Sequence, residues 1–143
     1  MRVLRRAVGL VLLLGLVCGC SQQAAATDDL IHALTDAHSA IASSILGIDL
    51  YDQDRSTRAA TETLLDDMAR QIADAERSLE PIGVDSETQS ERDAALAAIH
   101  TGGTALLRSR DQLDQRGTVD NTADLESAIQ QVDDLLSQLR ASQ

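Results

Sequence analysis

From Asp28 onward, apolar residues recur every three or four positions in four stretches separated by polar turns or helix breakers. This spacing places the apolar residues on one face of an α-helix. It predicts four helices, over residues 28–51, 57–80, 86–115 (with a start at Ser86 or Ser90) and 121–140. Pro81 and Gly83 end the second helix, and Gly117 acts as a C-cap for the third.

Each predicted helix has one apolar stripe that we expect to face a common core. The stripe residues are Leu34, His38, Ile41, Ile45 and Ile48, with Leu30 at the edge, then Thr61, Leu65, Met68, Ile72, Ala75, Leu79 and Ile82, then Ala95, Ile99, Gly102, Leu106, Ser109 and Leu113, and finally Leu125, Ala128, Val132, Leu135, Leu136 and Leu139. A helix with one apolar face is stable only when that face is covered, so the four helices should pack together.

Short connections between helices favour antiparallel neighbours. We therefore predict an all-α protein in which residues 28–143 form an antiparallel up-down-up-down four-helix bundle. An alternative has two helical hairpins that complete their core by dimerising. The same stripes serve both arrangements, so the sequence predicts a monomer or a homodimer.

Composition supports the helical prediction. The chain has no Phe, no Trp, no Lys and a single Tyr, Tyr51, whereas Ala, Leu, Gln and Arg are abundant. These abundant residues are good helix formers, and the aromatic residues that favour strands are nearly absent. We expect thin helices packed closely around a core of Leu, Ile, Val and Ala.

Residues 1–19 have the three parts of a signal peptide. Arg2, Arg5 and Arg6 form a positive segment, and residues 7–17 form an apolar segment of 11 residues. That segment is too short to span a membrane, which takes about 20 residues. We predict that residues 1–19 are removed and that residues 20–27 become a modified cysteine and a flexible tether.

The residues before Cys20 carry a recognisable motif. In the stretch Leu16-Val17-Cys18-Gly19-Cys20, an aliphatic residue lies three positions before the cysteine and a glycine directly before it. This resembles the lipobox of bacterial lipoproteins. The resemblance implies a diacylglyceryl group on Cys20, cleavage before it and acylation of the new amine. Cys18 is a poorer acceptor because Val17 precedes it.

The resemblance implies a location. Lipid on Cys20 anchors the protein to the extracytoplasmic face of the cell membrane, or to the outer membrane in a Gram-negative cell, since two or three acyl chains anchor stably. Removal of three arginines changes the net charge from −11 to −14. A body this acidic is repelled by nucleic acid and by anionic lipid, so we expect no nucleic-acid partner.

Part of the body has a second resemblance. The segments Ala42-Ser43-Ser44, Leu50-Tyr51-Asp52 and Leu64-Leu65-Asp66-Asp67 are similar to small lipoproteins of actinobacteria. The likeness covers about a third of the chain and includes no catalytic motif. Because that group has no characterised function, it supports a location and implies no activity.

The three histidines are the main candidates for chemistry. His32 shares a helix face with acidic residues at metal-ligand spacing, but that face points outward, so a solvated polar face is expected. His38 lies on an apolar stripe, where a hydrogen-bonded core histidine is expected and a ligand or pH-sensing group is the alternative. The chain has no Glu-x-x-His and no Gly-x-Ser-x-Gly. We predict no catalytic residues, no metal site and no cofactor other than the lipid.

His100 precedes a glycine pair, Gly102-Gly103, inside the third helix. Each glycine costs a helix about 1 kcal/mol relative to alanine, so something should offset that cost. Close approach of a neighbouring helix, a kink, and a cavity where the backbone meets a ligand are the three explanations.

These observations favour a non-enzymatic module that binds an envelope protein or acts as a scaffold at the membrane. The alternative is a bundle that binds or senses a small ligand or metal in a cavity near His38, His100, Gly102 and Gly103.

Overall fold

The computed structural model describes the backbone of residues 2–80, 86–119 and 122–142, and the side chains of residues 25–80, 88–119 and 122–142. It contains four helices: α1 (Arg2–Asp52), α2 (Arg58–Leu79), α3 (Ser86–Arg116) and α4 (Ala123–Ala141). No strand occurs in these ranges. The prediction of an all-helical protein built from four helices is confirmed.

The first helix is longer than the predicted span of 28–51. Its described side chains begin at Ala25, and Ala26 already packs against the core. The helix therefore begins before Asp28, and the upstream alanines are strong helix formers that favour this extension. The side chains of the predicted signal peptide, of Cys20 and of residues 21–24 lie outside the described residues, so those assignments stay predictions.

The turn after α1 and the end of α3 each contain a residue with a positive φ. Asp54 adopts a positive φ of 56°, and the hydroxyl of Thr57 accepts a hydrogen bond of 3.2 Å from the Ala60 N–H to cap α2. At the end of α3, Gly117 has a φ of 72°, a conformation that glycine adopts without the steric cost of a Cβ. Its N–H donates to the Leu113 carbonyl over 2.9 Å.

The four helices form a bundle in which α1 contacts each of the other three. Among the described residues α2 packs on α1 and α3, α4 packs on α1 and α3, and α2 does not contact α4. The core contains most of the predicted stripe residues, together with additional alanines and Val119. Its residues are Leu30, Ala33, Leu34, Ala37, Ala40, Ile41, Ile48, Leu65, Ile72, Ala75, Leu79, Ala95, Ala98, Ile99, Ala105, Leu106, Leu113, Val119, Leu125, Ala128, Val132, Leu136 and Leu139. Of the predicted stripe residues, His38, Ile45, Met68 and Leu135 are only partly buried, and Ile82 lies outside the described residues.

Polar residues on the stripes are buried without losing hydrogen bonds. The hydroxyls of Thr61 and Ser109 donate to the carbonyls of Thr57 and Ala105, one turn earlier, over 3.1 Å each. Ser44 donates in the same way to Ala40 over 2.8 Å. Burial of a hydroxyl is costly only when it is unpaired, so these residues are compatible with the core.

The ends of three helices are tied together at one end of the bundle. The phenol of Tyr51, at the end of α1, donates to the Gly117 carbonyl over 2.7 Å. Arg58, at the start of α2, donates through Nη2 to the carbonyl of Asp114 over 2.6 Å. A hydrogen bond to Glu62 raises the pKa of the Arg58 guanidinium above its usual value.

Two neighbouring leucines on α3 test the packing. Leu106 is fully buried and Leu107 is 48% exposed. Leu106→Ala should lower the free energy of unfolding by about 2–5 kcal/mol, because it removes a core side chain and leaves a cavity. Leu107→Ala is the matched control and should change it by less than about 1 kcal/mol. Urea unfolding followed by circular dichroism measures both; equal losses would contradict the assigned faces of α3.

Candidate functional site

His38 lies on the α1–α4 side of the bundle. Its Nε2 is 3.2 Å from Oδ1 of Asp133 on α4, and its side chain is 34% exposed. The expectation of a buried core histidine is therefore wrong. The residue sits at the margin of the apolar stripe, where its ring reaches a half-exposed carboxylate and keeps access to water.

The other two histidines lie on separate surfaces. His100 is 78% exposed, and its Nδ1 is 3.4 Å from Oε1 of Glu76 on α2. His32 is 80% exposed, with Nδ1 3.9 Å from Oδ2 of Asp36 on the same helix. Within the described residues no three potential ligands among His, Cys, Asp and Glu are grouped so that they could hold a metal ion.

The glycine pair approaches two different helices. A Cβ on Gly102 would lie 2.6 Å from Cδ1 of Ile41 on α1 and 3.9 Å from Cβ of Ala128 on α4. A Cβ on Gly103 would lie 3.2 Å from Cγ2 of Ile72 on α2. Helix α3 is continuous from Ser86 to Arg116, so no break explains the pair. Close approach of neighbouring helices is the explanation that the geometry supports at Gly102.

Gly103 also borders an open groove of about 550 Å³ between α2 and α3. We call this the α2–α3 groove. Its apolar surface is formed by Ala69, Ile72, Ala73, Gly103 and Leu107. Its polar rim is formed by Asp66, Arg70, Glu76, His100, Thr104 and Arg110. The volume is within the range typical of small-molecule sites.

Charged pairs cross the groove at both ends. Nε of Arg110 lies 2.6 Å from Oδ1 of Asp66, and His100 faces Glu76. Arg70, one turn after Asp66, is paired with Asp67 on its own helix. These pairs are partly exposed, so each contributes at most about 1 kcal/mol to stability. The positions of these charged groups affect which molecules the groove can bind more than they affect stability.

The groove brings together only part of the predicted ligand site. His100 and Gly103 border it, whereas Gly102 faces the core and His38 lies on the α1–α4 side. The single cavity that the sequence suggested for all four residues is not formed. Asp66 and Arg110 were missed because nothing local in the sequence marks them; their pairing depends on the register of α2 against α3.

Two smaller depressions are present, of which the first adjoins the α2–α3 groove and shares Asp66 and Arg110 with it. One of about 220 Å³ continues past Arg110 and is bordered by Glu62, Asp111 and Asp114. Another of about 200 Å³ lies where Leu34, Ser90 and Leu139 meet. Neither contains any of the histidines or glycines singled out in the sequence.

The described helices include none with an apolar stretch long enough to cross a membrane. The chain matches no protein-family model, no curated protein and no solved structure.

The two glycines should respond differently to the same change. Alanine gains about 1 kcal/mol of helix propensity at either position. At Gly102 the new methyl group would collide with the buried Ile41, and overpacking of this kind costs about 1–3 kcal/mol. We expect Gly102→Ala to be destabilising and Gly103→Ala, beside the open groove, to be neutral or slightly stabilising. Urea unfolding measures both, and a Gly102→Ala protein as stable as Gly103→Ala would argue against close approach at Gly102.

Proposed function

We propose that this protein is an exported lipoprotein whose helical body is displayed at the cell envelope as a non-enzymatic binding or scaffold module. The observation that carries the proposal is the order of features at the chain start: a positive segment, an 11-residue apolar segment and a lipobox ending at Cys20. In this proposal residues 1–19 are removed, and diacylglycerol and acyl chains on Cys20 hold residues 28–143 on the extracytoplasmic face of the membrane.

We further propose that the body is an antiparallel up-down-up-down four-helix bundle. Ion pairs between helices support this arrangement. Arg110, late in α3, meets Asp66, early in α2. Glu76, later in α2, meets His100, earlier in α3, so the two pairs run in reverse order along the two helices, as expected for antiparallel neighbours. Arg108, late in α3, meets Asp124 at the start of α4, which is consistent with a tight turn between these two helices.

The non-enzymatic role is supported by how the ionisable side chains are distributed. His32, His38 and His100 each lie beside one carboxylate, on three different surfaces. General acid–base or nucleophilic catalysis needs several such groups around one reacting atom. Recognition of a partner needs only a shaped and charged surface, which the acidic body supplies.

The net charge of −14 after processing also bears on the partner. It disfavours nucleic acid and keeps the body away from anionic lipid, so an envelope protein is the partner we propose. One specific observation favours a second candidate function, binding of a small ligand. The α2–α3 groove has the size and the mixed apolar and charged surface of a ligand site, and His100 and Gly103 border it.

The anchor is tested by a pair of cysteine variants. Cys20→Ala should remove the acceptor of the lipid, and because cleavage follows lipidation the variant should keep residues 1–19 and carry no acyl chains. Cys18→Ala is the matched control and should leave lipidation, cleavage and membrane association unchanged, because Cys18 is lost with the signal. Intact-mass measurement of protein extracted from the membrane fraction gives the result. A Cys20→Ala protein that is still lipidated, or an unsubstituted protein without lipid, would refute the anchor.

The binding role is tested by crosslinking in intact cells. The lipidated protein should crosslink to the same envelope protein in repeated experiments. A protein of the same charge and size, anchored through the same residues 1–27, is the control for chance encounters. Equal crosslinking of this control would contradict a specific partner.

A further inference from the structure

The outward side of α3 includes a long stretch without charged groups. Between Asp93 and Arg108 the chain has 14 residues that include no Asp, Glu or Arg, the longest such stretch after Asp28. Four small side chains in this stretch are exposed at spacings of three or four residues, namely Ala94, Ala97, Thr101 and Thr104. This spacing places them on one side of the helix. We call these four residues and Leu107 the outer α3 face.

Another acidic body meets less repulsion at this face than at the outer sides of α2 and α4. Asp67 and Asp74 on α2 and Asp134 on α4 are exposed carboxylates, whereas the outer α3 face includes none. Each copy of the body has a net charge of −14 after the proposed processing, and like charges repel at close range. A second copy can therefore approach more readily where carboxylates are absent.

The outer α3 face has one projecting side chain, and the groove beside it has a gap. Leu107 is 48% exposed. Gly103, one turn earlier on α3, has no side chain and borders the α2–α3 groove together with Ile72 and Ala73. A leucine from outside can therefore enter the groove at this glycine without meeting a Cβ on α3. The projection and the gap are four residues apart, or about 6 Å along the helix.

The projection and the gap match each other across a two-fold axis. When such an axis crosses α3 at right angles beside Ala105, residues whose numbers sum to 210 lie opposite each other. Leu107 of each copy then lies over Gly103 of the other copy, and the two α3 helices run antiparallel. The same surface thus serves both partners, as a two-fold interface requires. A parallel pair would place leucine against leucine and leave both gaps unfilled.

The antiparallel arrangement also separates like charges. Asp111 and Asp114 of one copy lie opposite residues 96–99 of the other copy, which include no charged side chain. In a parallel pair each of these aspartates would face its own counterpart, which is unfavourable. Arg110 adds no attraction, because it is already paired with Asp66 of its own copy. The favourable contacts are therefore the apolar ones at the centre.

We propose that the outer α3 face and the α2–α3 groove bind a second copy of this chain as an antiparallel dimer. The second copy supplies a projecting leucine and a gap at the matching spacing. This dimer differs from a pair of hairpins with a shared core, because each chain already buries a core of its own. The inference goes beyond the proposed function, and a dimer of this kind would exclude a small ligand from the groove.

The second exposed leucine is not matched in the same way. Leu46 on α1 is 59% exposed. It borders neither the α2–α3 groove nor the two smaller depressions. The α1 side thus has a projecting side chain without one of these depressions beside it, so Leu46 is a suitable control for Leu107.

The contact area limits the strength of the dimer. An interface of standard size takes about 800 Å² from each partner. Two helices, each about 10 Å wide, over a length of about 21 Å offer about 420 Å² in projection. We therefore expect a weak dimer whose population rises with protein concentration.

Single introduced cysteines test the contact and its direction in the mature lipidated protein in detergent solution. Thr104→Cys, close to the two-fold axis, should form a disulfide-linked dimer on mild oxidation, because two such cysteines are offset by only about 3 Å along the helices. Ala97→Cys should not, because its offset of about 24 Å exceeds the reach of a disulfide. Ser39→Cys, exposed on α1, is the control for chance collisions, and the unsubstituted protein is the control for Cys20.

A second substitution assigns the dimer to the projecting leucine. In the Thr104→Cys protein, Leu107→Glu should slow crosslinking at least about tenfold, because two apolar contacts are lost and two like charges are introduced. Leu107→Gln should act in the same direction without added charge. Leu46→Glu is the matched control and should leave the rate unchanged. Thermal unfolding of each variant checks that the fold is kept.

Three results would overturn the dimer: crosslinking of Thr104→Cys no faster than that of Ser39→Cys, equal crosslinking of Ala97→Cys and Thr104→Cys, or no effect of Leu107→Glu. The first would leave the face to a different molecule, and the second would indicate parallel or non-specific contact. Intact mass and crosslinking to an envelope protein do not depend on this face. Failure of the dimer is therefore distinguishable from failure of the proposed anchor or partner.

Discussion

Close approach of α1 and α3 at the centre of the bundle is the constraint on which the other helix positions depend. Without Phe or Trp, the core is filled by Leu, Ile, Val and Ala, so diagonal helices must come near enough for short side chains to meet. Gly102 makes this contact possible, since Ile41 occupies the space that its Cβ would fill. The burial of Ile41 offsets the helix propensity lost at the glycine.

The second glycine extends the effect from the core to the surface. Neighbouring residues on a helix point about 100° apart, so Gly102 and Gly103 cannot face the same partner. Gly102 faces α1, and Gly103 faces Ile72 on α2. The same pair thus closes the centre of the bundle and lowers one wall of the α2–α3 groove. Gly102 allows the close approach in the core, and Gly103 shapes the groove. A single glycine would not produce both features.

Periodicity predicted what depends on one helix at a time. Every predicted stripe residue of α3, from Ala95 to Leu113, is buried, because the 3.6-residue repeat fixes which side chains share a face. The hydrophobic periodicity did not predict features that depend on how two helices are positioned relative to each other. His38 follows the stripe of α1 but reaches Asp133 because of where α4 lies, and the Asp66–Arg110 pair depends on the register of α2 against α3. The start of α1 was missed because the small and polar residues 21–27 were interpreted as a tether, although the alanines among them favour a helix.

The contacts show that α1 contributes mainly to packing, whereas α2 and α3 form the groove. Helix α1 touches all three others and leads back to the segment that contains Cys20, the proposed site of lipid attachment. The α2–α3 groove involves neither α1 nor α4. A molecule bound in that groove would therefore not displace α1. Partly exposed ion pairs add little stability, and the apolar core maintains the fold. The charged residues along the α2–α3 groove can therefore be replaced with little effect on the fold.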